Sequence, residues 1–268
     1  MTGEMAADEE SRRDPVFGRR HPVFGRRKGH KLRPKRQALM RELLPRLEID
    51  LRSSTDIIDP EAFFGAGIDQ VWLEIGFGTG EHLASQAACR PDVGFIGCEP
   101  YLNGVSALLS RIAAQNLTNV RIFPDDARRL VARLAEGRIS RLTLLFPDPW
   151  PKKRHHKRRI VCPAMVARFA DIMAAGGEFR FATDHGEFAA WTLRHIYSET
   201  RFQWSAENPR DWRQRPADWP ETRYEQKARK AGRKPIFLRY VRLAQPRIGA
   251  QPAEKHKALE ALAETDIG

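Results

Sequence analysis

The sequence predicts an α/β protein with a mostly parallel β-sheet, helices on both faces and a late antiparallel strand. From Gln70 onward, short apolar runs alternate with longer segments of helical periodicity, which is typical of parallel strands joined by helical crossovers. Two further apolar runs, 201–206 and 235–243, predict a pair of antiparallel strands that completes the sheet. Hydrophobic residues make up 41% of the chain, enough for a packed core.

The elements follow one another in a regular order. A helix is predicted first, over Gln37–Leu47, with Pro45 disturbing its end. Five apolar runs predict the parallel strands: 71–76, 93–99, 119–124, 140–147 and 177–184. Helices are predicted after the first four strands: 81–88, 101–115, 127–136 and 161–175.

One folded domain with two extensions accounts for the whole chain. Residues 1–36 are predicted to form a mobile basic arm, in which PVFGRR occurs twice, at 15–20 and 22–27. Residues 37–243 form the predicted α/β domain, and residues 244–268 a polar C-terminal tail. Two copies of a hexapeptide are too few for a repeat architecture, so the arm is interpreted as a segment that orders on a partner.

The distribution of charge predicts a polyanionic partner. The net charge is +12, but Lys and Arg are concentrated in three blocks, 11–36, 152–159 and 210–242, and the rest of the chain is acidic. Aromatic residues lie in or beside the third block: Trp204, Trp212, Trp219 and Tyr224. Basic patches with interleaved aromatics favour nucleic acid. An acidic membrane surface is the less favoured alternative, because no amphipathic anchor is present.

Several classes of protein are disfavoured by the sequence. There is no apolar run long enough to cross a membrane and no secretory signal at the N-terminus. Cys89, Cys98 and Cys162 are odd in number and lack metal-ligand spacing, so neither a structural metal nor a disulfide framework is expected. We expect a cytoplasmic protein without metal, either a monomer or a homodimer.

A ligand site is predicted at the carboxyl ends of the strands. The first strand ends in EIGFGTG, which contains Glu74, Gly76, Gly78 and Gly80, and glycines there permit a tight turn close to a ligand. The spacing G-x-G-x-G followed by Glu81 departs from the dinucleotide pattern and puts negative charge where a pyrophosphate would bind.

Acidic residues also follow the next three strands. Glu99 is positioned to accept both hydroxyls of a ribose, and Asp126 to accept from an adenine amino group. Asp148 follows the fourth strand. Any one of these acids would be explained as a helix N-cap, but the set with Glu74 suits a cationic ligand without phosphate. S-adenosylmethionine fits this description, whereas NAD does not.

The segment FPDPWPKKRHHKRRIV, residues 146–161, joins that cleft to a strongly basic run. Asp148 lies between two prolines and is followed by Trp150, which either contacts a base or packs in the core. Lys152–Arg159 then contributes six cations and two histidines, a composition that favours phosphate contacts. His155 and His156 have no ligand partners at metal spacing.

These motifs, together with GCEPYLNGV, DDA, FATD and TRYE, resemble those of the tRNA (guanine-N7)-methyltransferase family. The resemblance implies a Rossmann-like class I methyltransferase fold and methyl transfer to N7 of guanosine 46, in the variable loop of tRNA. It assigns Glu74, Glu99, Asp126 and Asp148 to the methyl donor. Because positive charge passes to the purine, a carboxylate near the base is predicted to be catalytic: Asp148 is preferred, and Asp184 is the other candidate. The resemblance assigns other residues to the RNA substrate: Lys152, Asp184, Thr222, Arg223, Tyr224 and Glu225, with Arg154, His155, His156, Lys157, Arg158 and Arg159 as further RNA contacts.

Alternatives remain at this stage. Thr222 and Glu225 have the spacing of a capping box, and Asp184 is positioned to cap the helix after the fifth strand. The chain is alternatively an S-adenosylmethionine-dependent enzyme for another nucleic acid, or a non-catalytic RNA-binding protein with the same fold. A nicotinamide oxidoreductase is disfavoured by the glycine spacing and by Glu81.

Overall fold

A computed structural model describes residues 27–52 and 56–248. Its sheet is formed by β1 Gln70–Ile75, β2 Val93–Cys98, β3 Val120–Phe123, β4 Ile139–Leu145, β5 Met173–Thr183, β6 Phe202–Trp204 and β7 Ile236–Arg242. The strand order is β3-β2-β1-β4-β5-β7-β6. The first five strands pair in parallel, and β7 is antiparallel to both β5 and β6. The predicted fold class, including the late antiparallel pair, is confirmed.

Helices cover both faces of this sheet. They are α1 Pro34–Glu42, α2 Leu44–Leu47, α3 Glu81–Cys89, α4 Leu102–Gln115, α5 Ala127–Val131, α6 Pro163–Ile172, α7 Gly186–Tyr197, α8 Arg210–Arg213 and α9 Arg223–Lys230. Short 3-10 helices lie at Pro60–Phe63 and Lys153–Arg158. The PVFGRR duplication, apart from Arg27, and the end of the tail, beyond residue 248, lie outside the described residues.

The alternation of side chains along β1 connects the two halves of the core. Val71, Leu73 and Ile75 pack in one apolar cluster with residues of α5, α6 and α7. Trp72 points the opposite way, into a second cluster with residues of α2, α3 and α4. Full burial of a large apolar side chain contributes about 1.5–3 kcal/mol to the free energy of unfolding. Because β1 buries such side chains on both faces, packing on both faces stabilises it. The loops at its carboxyl end therefore start from a rigid base.

Three predicted helices differ from those observed. The first is divided at Leu43 into α1 and α2, because Pro45 cannot continue the hydrogen-bond ladder. The third predicted helix ends at Val131 instead of 136, because the backbone beyond it pairs with Ile58: the Ile58 N–H donates to the Arg133 carbonyl at 2.7 Å. Predicted residues 173–175 of the fourth helix belong to β5, which begins directly after α6.

Candidate active site

A cavity of about 530 Å³ lies beyond the carboxyl ends of the central strands. Its walls come from the loops after β1, β2, β3 and β4 and from the start of α9. The lining includes six of the predicted ligand residues, namely Gly76, Gly78, Glu99, Asp126, Asp148 and Tyr224. The volume suits one small-molecule ligand, and the position is where open α/β sheets bind ligands.

The glycine loop forms the floor of this cavity. Gly76, Gly78 and Gly80 have φ angles of 72°, 56° and 70°, in the left-handed region that favours glycine. Helix α4 packs directly on the loop: a Cβ atom on Gly104 would lie 2.2 Å from the Gly78 carbonyl oxygen. The G-x-G-x-G spacing thus serves a backbone path with left-handed φ angles, which side chains rarely adopt.

Glu99 is fixed on the wall next to the glycine loop. Its carboxylate accepts hydrogen bonds from the backbone N–H of Gly78 at 2.8 Å and of Tyr101 at 2.9 Å. Burial raises the pKa of Glu99, while these two N–H groups act in the opposite direction. Each carboxylate oxygen keeps a lone pair for a further donor, as the predicted contact with two ribose hydroxyls requires.

Asp126 combines a structural role with its place in the wall. Its side chain caps α5 by accepting from the Arg128 N–H at 3.0 Å, and it pairs with the Arg128 guanidinium at 2.7 Å. The ordinary explanation of an acid after a strand, an N-cap, therefore applies to Asp126. Because Asp126 also lines the cavity, the capping role and the predicted ligand contact are compatible.

Glu74 is near Glu99 but, unlike the other three acids, does not line the cavity. It is 7% exposed and absent from the cavity lining, and its carboxylate bonds the Nδ1 atom of His82 at 2.6 Å. His82 is itself 6% exposed, in the first turn of α3. The observed hydrogen-bond partner of Glu74 is thus a protein side chain, and its contact with the methyl donor stays a prediction.

The loop after β4 carries Asp148 into the cavity on an unusual backbone. Phe146 and Trp150 flank Pro147–Pro149 with φ angles of 49° and 44°, a region that costs an aromatic residue about 1–3 kcal/mol. Asp148 has no hydrogen-bond partner among the described residues, and partial exclusion of water raises the pKa of its carboxyl group. A carboxylate is therefore presented to the cavity with its bonding capacity free.

The basic run is a 3-10 helix whose cations mostly face solvent. Lys152, Lys153, Arg154 and Lys157 are exposed. The Arg158 guanidinium lies over the Trp150 ring, 4.7 Å from its centroid, and both residues line the cavity. The run therefore borders the cavity through Arg158, near its C-terminal end.

The two histidines of the run pack against tryptophans. The His155 ring lies edge-on to Trp150, with centroids 5.8 Å apart, and His156 lies 5.2 Å from Trp191 in a similar geometry. Desolvation and the surrounding Arg and Lys charges lower the pKa of His155, so it is neutral near pH 7. The RNA contact of His155 stays a prediction, one in which a neutral imidazole adds a polar contact but no charge.

Arg159 corrects the expectation that the whole run contacts RNA. Its side chain is 0% exposed and forms a bidentate pair with Glu187, at 3.0 and 2.5 Å. The same guanidinium donates to the Pro149 carbonyl at 2.8 Å. A buried side chain with these partners cannot reach a phosphate, so the RNA-contact expectation applies to the rest of the run.

The TRYE segment contributes Tyr224 to the cavity lining, and Thr222 and Glu225 to the scaffold. Thr222 caps α9 by accepting from the Glu225 N–H at 3.1 Å, and Glu225 is 1% exposed and paired with Arg215 and Arg229. Tyr224 is 56% exposed and lies over the glycine loop, within contact distance of Gly78. The capping alternative raised for Thr222 is thus observed, and Tyr224 is the residue that faces the cavity.

Two other predicted substrate residues lie outside the cavity lining. Asp184 pairs with Arg233 at 2.6 Å, and the cap of α7 is His185 instead. Lys152 is exposed at the start of the basic run. Asp184 follows β5 and Lys152 follows β4, so both lie in segments beyond the carboxyl ends of the sheet strands.

Sequence reasoning missed two residues that shape the site, Tyr101 and Arg128, and it predicted for Glu81 only the exclusion of a pyrophosphate. The Tyr101 N–H orients Glu99, and the Arg128 guanidinium neutralises Asp126. Glu81 accepts from the Arg111 guanidinium at 3.0 Å and the Arg223 N–H at 3.3 Å, so it ties α9 to the glycine loop. Glu81 also fills the helix N-terminus that a pyrophosphate would need. Its position after the glycine loop was the available signal.

The described part of the chain contains no group of three His, Cys, Asp or Glu side chains suited to a metal ion. None of the helices within residues 27–52 and 56–248 has the length and apolarity to span a membrane.

Sheet order, glycine loop and strand-end acids define a Rossmann-like class I methyltransferase. A family model described as "Putative methyltransferase" matches residues 69–238. The chain belongs to the tRNA (guanine-N(7)-)-methyltransferase family. It is 48% identical to the enzyme of that name from Rhodospirillum rubrum, over 82% of this chain and 88% of the relative. The Nitrobacter hamburgensis and Zymomonas mobilis enzymes are 47% and 46% identical, over 87% and 80% of this chain and 88% and 91% of theirs.

Among solved structures, the chain is similar to the antibiotic-resistance methyltransferase Kmr, with 18% identity and a TM-score of 0.46 over 67% of this chain and 90% of that one.

Proposed function

We propose that this chain transfers a methyl group to N7 of guanosine 46 in the variable loop of tRNA, giving 7-methylguanosine. The methyl donor is S-adenosylmethionine, which carries the methyl group on a cationic sulfonium. The observation that carries the proposal is the joining of two surfaces by residues 146–159. A cavity lined by Glu99, Asp126 and Asp148 opens beside a solvent-exposed run of Lys and Arg.

The side chains of the cavity fit this donor. Glu99 retains two lone pairs for ribose hydroxyls, and Asp126 retains acceptor capacity for an adenine amino group. The glycine loop allows close approach of the backbone. Arg128, one of the two cations in the lining, is already neutralised by Asp126, so the wall favours a cation over a phosphate.

The acceptor side needs positioning more than proton transfer. Guanine N7 has a free lone pair, so an in-line displacement proceeds without a general base. Positive charge moves from the donor to the purine during transfer, and the unpaired Asp148 carboxylate lies where it stabilises that charge. Trp150 and Tyr224 offer aromatic surfaces for an extruded base. Lys152, Arg154 and Lys157 then hold the phosphates.

Thr222, Glu225 and Asp184 contribute by stabilising the segments that carry other substrate residues. Thr222 and Glu225 fix the start of α9, so that Arg223 and Tyr224 face the substrate. Asp184, paired with Arg233, orders the approach to β7.

The test is methyl transfer from labelled S-adenosylmethionine to unmodified tRNA, followed by nucleoside analysis and mapping. We expect 7-methylguanosine in the variable loop. If the protein binds the donor and methylates another RNA but not tRNA, the acceptor is that other RNA. Absence of donor binding by calorimetry would indicate a non-catalytic RNA-binding protein and overturn the proposal.

A further inference from the structure

One cation of the basic run has a different environment from its neighbours. Arg159 is the last residue of Lys152–Arg159, and its guanidinium is enclosed between the rings of Phe188 and Trp191, at 5.0 and 4.7 Å from their centroids. Its charge is balanced by Glu187, in the first turn of α7. The sequence alone, in which six cations follow closely on one another, does not indicate that this one is buried with a bidentate partner.

The other partners of this guanidinium belong to the loop that carries Asp148. Arg159 Nε donates to the Pro149 carbonyl at 2.8 Å, and Nη2 lies 3.4 Å from the Trp150 carbonyl. Both carbonyls follow Asp148 directly in the chain. Arg159 therefore connects the helix after β5 to the backbone beside the candidate catalytic carboxylate.

The composition of the loop after β4 explains why Arg159 binds its backbone carbonyl groups. Pro147, Pro149 and Pro151 have no N–H group, so most of the ordinary backbone donors are missing between residues 147 and 151. Trp150 also has a left-handed backbone, which persists where surrounding contacts over-determine it. A forked donor behind the loop supplies such contacts at two successive carbonyls.

We propose that Arg159 and Glu187 form a positioning pair that sets Asp148 and Trp150 for methyl transfer. This inference rests on the proposed function, since it assigns the pair a role in the same reaction. Glu187 orients the guanidinium, the guanidinium holds the Pro149 and Trp150 carbonyls, and these fix the direction of the Asp148 side chain.

Lysine cannot reproduce this arrangement. An ammonium group lacks the planar fork that serves a carboxylate and two carbonyls together, although it keeps the charge. Arg159→Lys therefore tests geometry at constant charge. Glu187→Gln is the milder variant, because an amide oxygen still accepts one hydrogen bond. Arg194→Lys is the control, since Arg194 is exposed on the same helix, α7, and outside the cavity lining.

The experiment measures kcat, the KM for tRNA, and the salt dependence of tRNA binding for full-length protein. We expect Arg159→Lys to lower kcat roughly 10- to 100-fold, since small misplacements of reacting groups have effects of this size. The KM for tRNA and the salt slope should stay unchanged, because a buried side chain releases no counterions. Arg194→Lys should match wild type in all three.

Three outcomes decide the matter. A fall in tRNA affinity with a shallower salt slope would make Arg159 an RNA contact and overturn the inference. Unchanged kcat in folded Arg159→Lys would reduce the pair to a structural one. If Arg159→Lys does not fold, a lower kcat of Glu187→Gln at unchanged tRNA affinity supports the proposal, and unchanged kcat overturns it. Failure of the proposed function is separate, since wild type would then form no 7-methylguanosine.

Discussion

The two sides of the cavity hold their carboxylates in opposite ways. On the side of β2 and β3, Glu99 is fixed by backbone N–H groups of Gly78 and Tyr101, and Asp126 by that of Arg128. On the side of β4, Asp148 has no hydrogen-bond partner within the described residues. Its loop is instead held from behind, through the Pro149 carbonyl, by the buried Arg159.

This difference separates binding from chemistry. A ligand group whose charge does not change during reaction is best met by acids that the protein has already fixed. A group whose charge develops in the transition state is best met by a carboxylate with free capacity, held rigidly by its backbone. The site is therefore preorganised on both sides, by side-chain hydrogen bonds on one and by backbone constraints on the other.

The largest expected effect comes from the unpaired carboxylate. Asp148→Asn keeps the shape of the side chain and removes its charge, so we expect kcat to fall roughly 10²- to 10³-fold. Asp148→Ala should abolish transfer. Affinity for tRNA should be almost unchanged in both, because Asp148 contacts no phosphate. Single-turnover rates and tRNA binding by filter retention would measure the two quantities.

A matched control for Asp148 is Glu136→Gln, which removes a carboxylate whose side chain is 78% exposed and lies outside the cavity lining. It should transfer methyl groups at the wild-type rate. If Asp148→Asn loses tRNA affinity as strongly as activity, the two sides of the cavity do not differ as described.

The second effect concerns the exposed cations at the cavity mouth. Replacing Lys152, Arg154 and Lys157 with Gln should weaken tRNA binding and lower its salt slope by about 0.7–0.9 per lost phosphate contact. The kcat at saturating tRNA should change little. Titrations at several salt concentrations would measure the slope.

The charge-matched control replaces exposed cations outside the cavity lining, Arg52, Arg138 and Arg194, with Gln. It should leave the salt slope unchanged. An equal reduction in both variants would show that the basic run acts through net charge alone.

The fold was predictable because its signals are local. Strand–helix alternation and acids at strand ends depend on neighbours in the sequence, and the strands observed agree with the prediction within a few residues. The helix ends were less predictable, because a tertiary partner decides them. The backbone after Val131 pairs with Ile58, which is far away in sequence.

The roles of individual site residues were less predictable, because exposure is a tertiary property. The six cations of the basic run look alike in sequence, yet Arg159 is enclosed by α7. Glu74 lies at the end of β1 and Glu99 directly after β2, but the Glu74 carboxylate bonds His82 on the following helix. The N-cap of α7 is His185, and the neighbouring Asp184 forms an ion pair with Arg233 instead.

A third, smaller effect tests the fixed side of the cavity. Glu99→Gln retains the shape but loses the charge and replaces one acceptor with an amide donor. We expect affinity for S-adenosylmethionine to fall roughly 10- to 100-fold, the size of a charge-assisted hydrogen bond. The kcat at saturating donor should fall much less than in Asp148→Asn. Calorimetry gives the affinity, and a larger loss of kcat than of affinity would contradict the assignment.

The smallest effect is a pH dependence that involves both sides at once. Burial raises the pKa of Glu99 above its ordinary value of 4.5, and that of Asp148 above 3.8. A cationic donor binds the ionised carboxylates, so affinity is full above the raised pKa values and falls as pH drops through them. We expect a plateau near pH 7 and a decline that begins above pH 4.5. Glu99→Gln and Asp148→Asn should each make this decline shallower. A wild-type affinity independent of pH down to the ordinary values would mean that donor binding requires the ionised form of neither carboxylate.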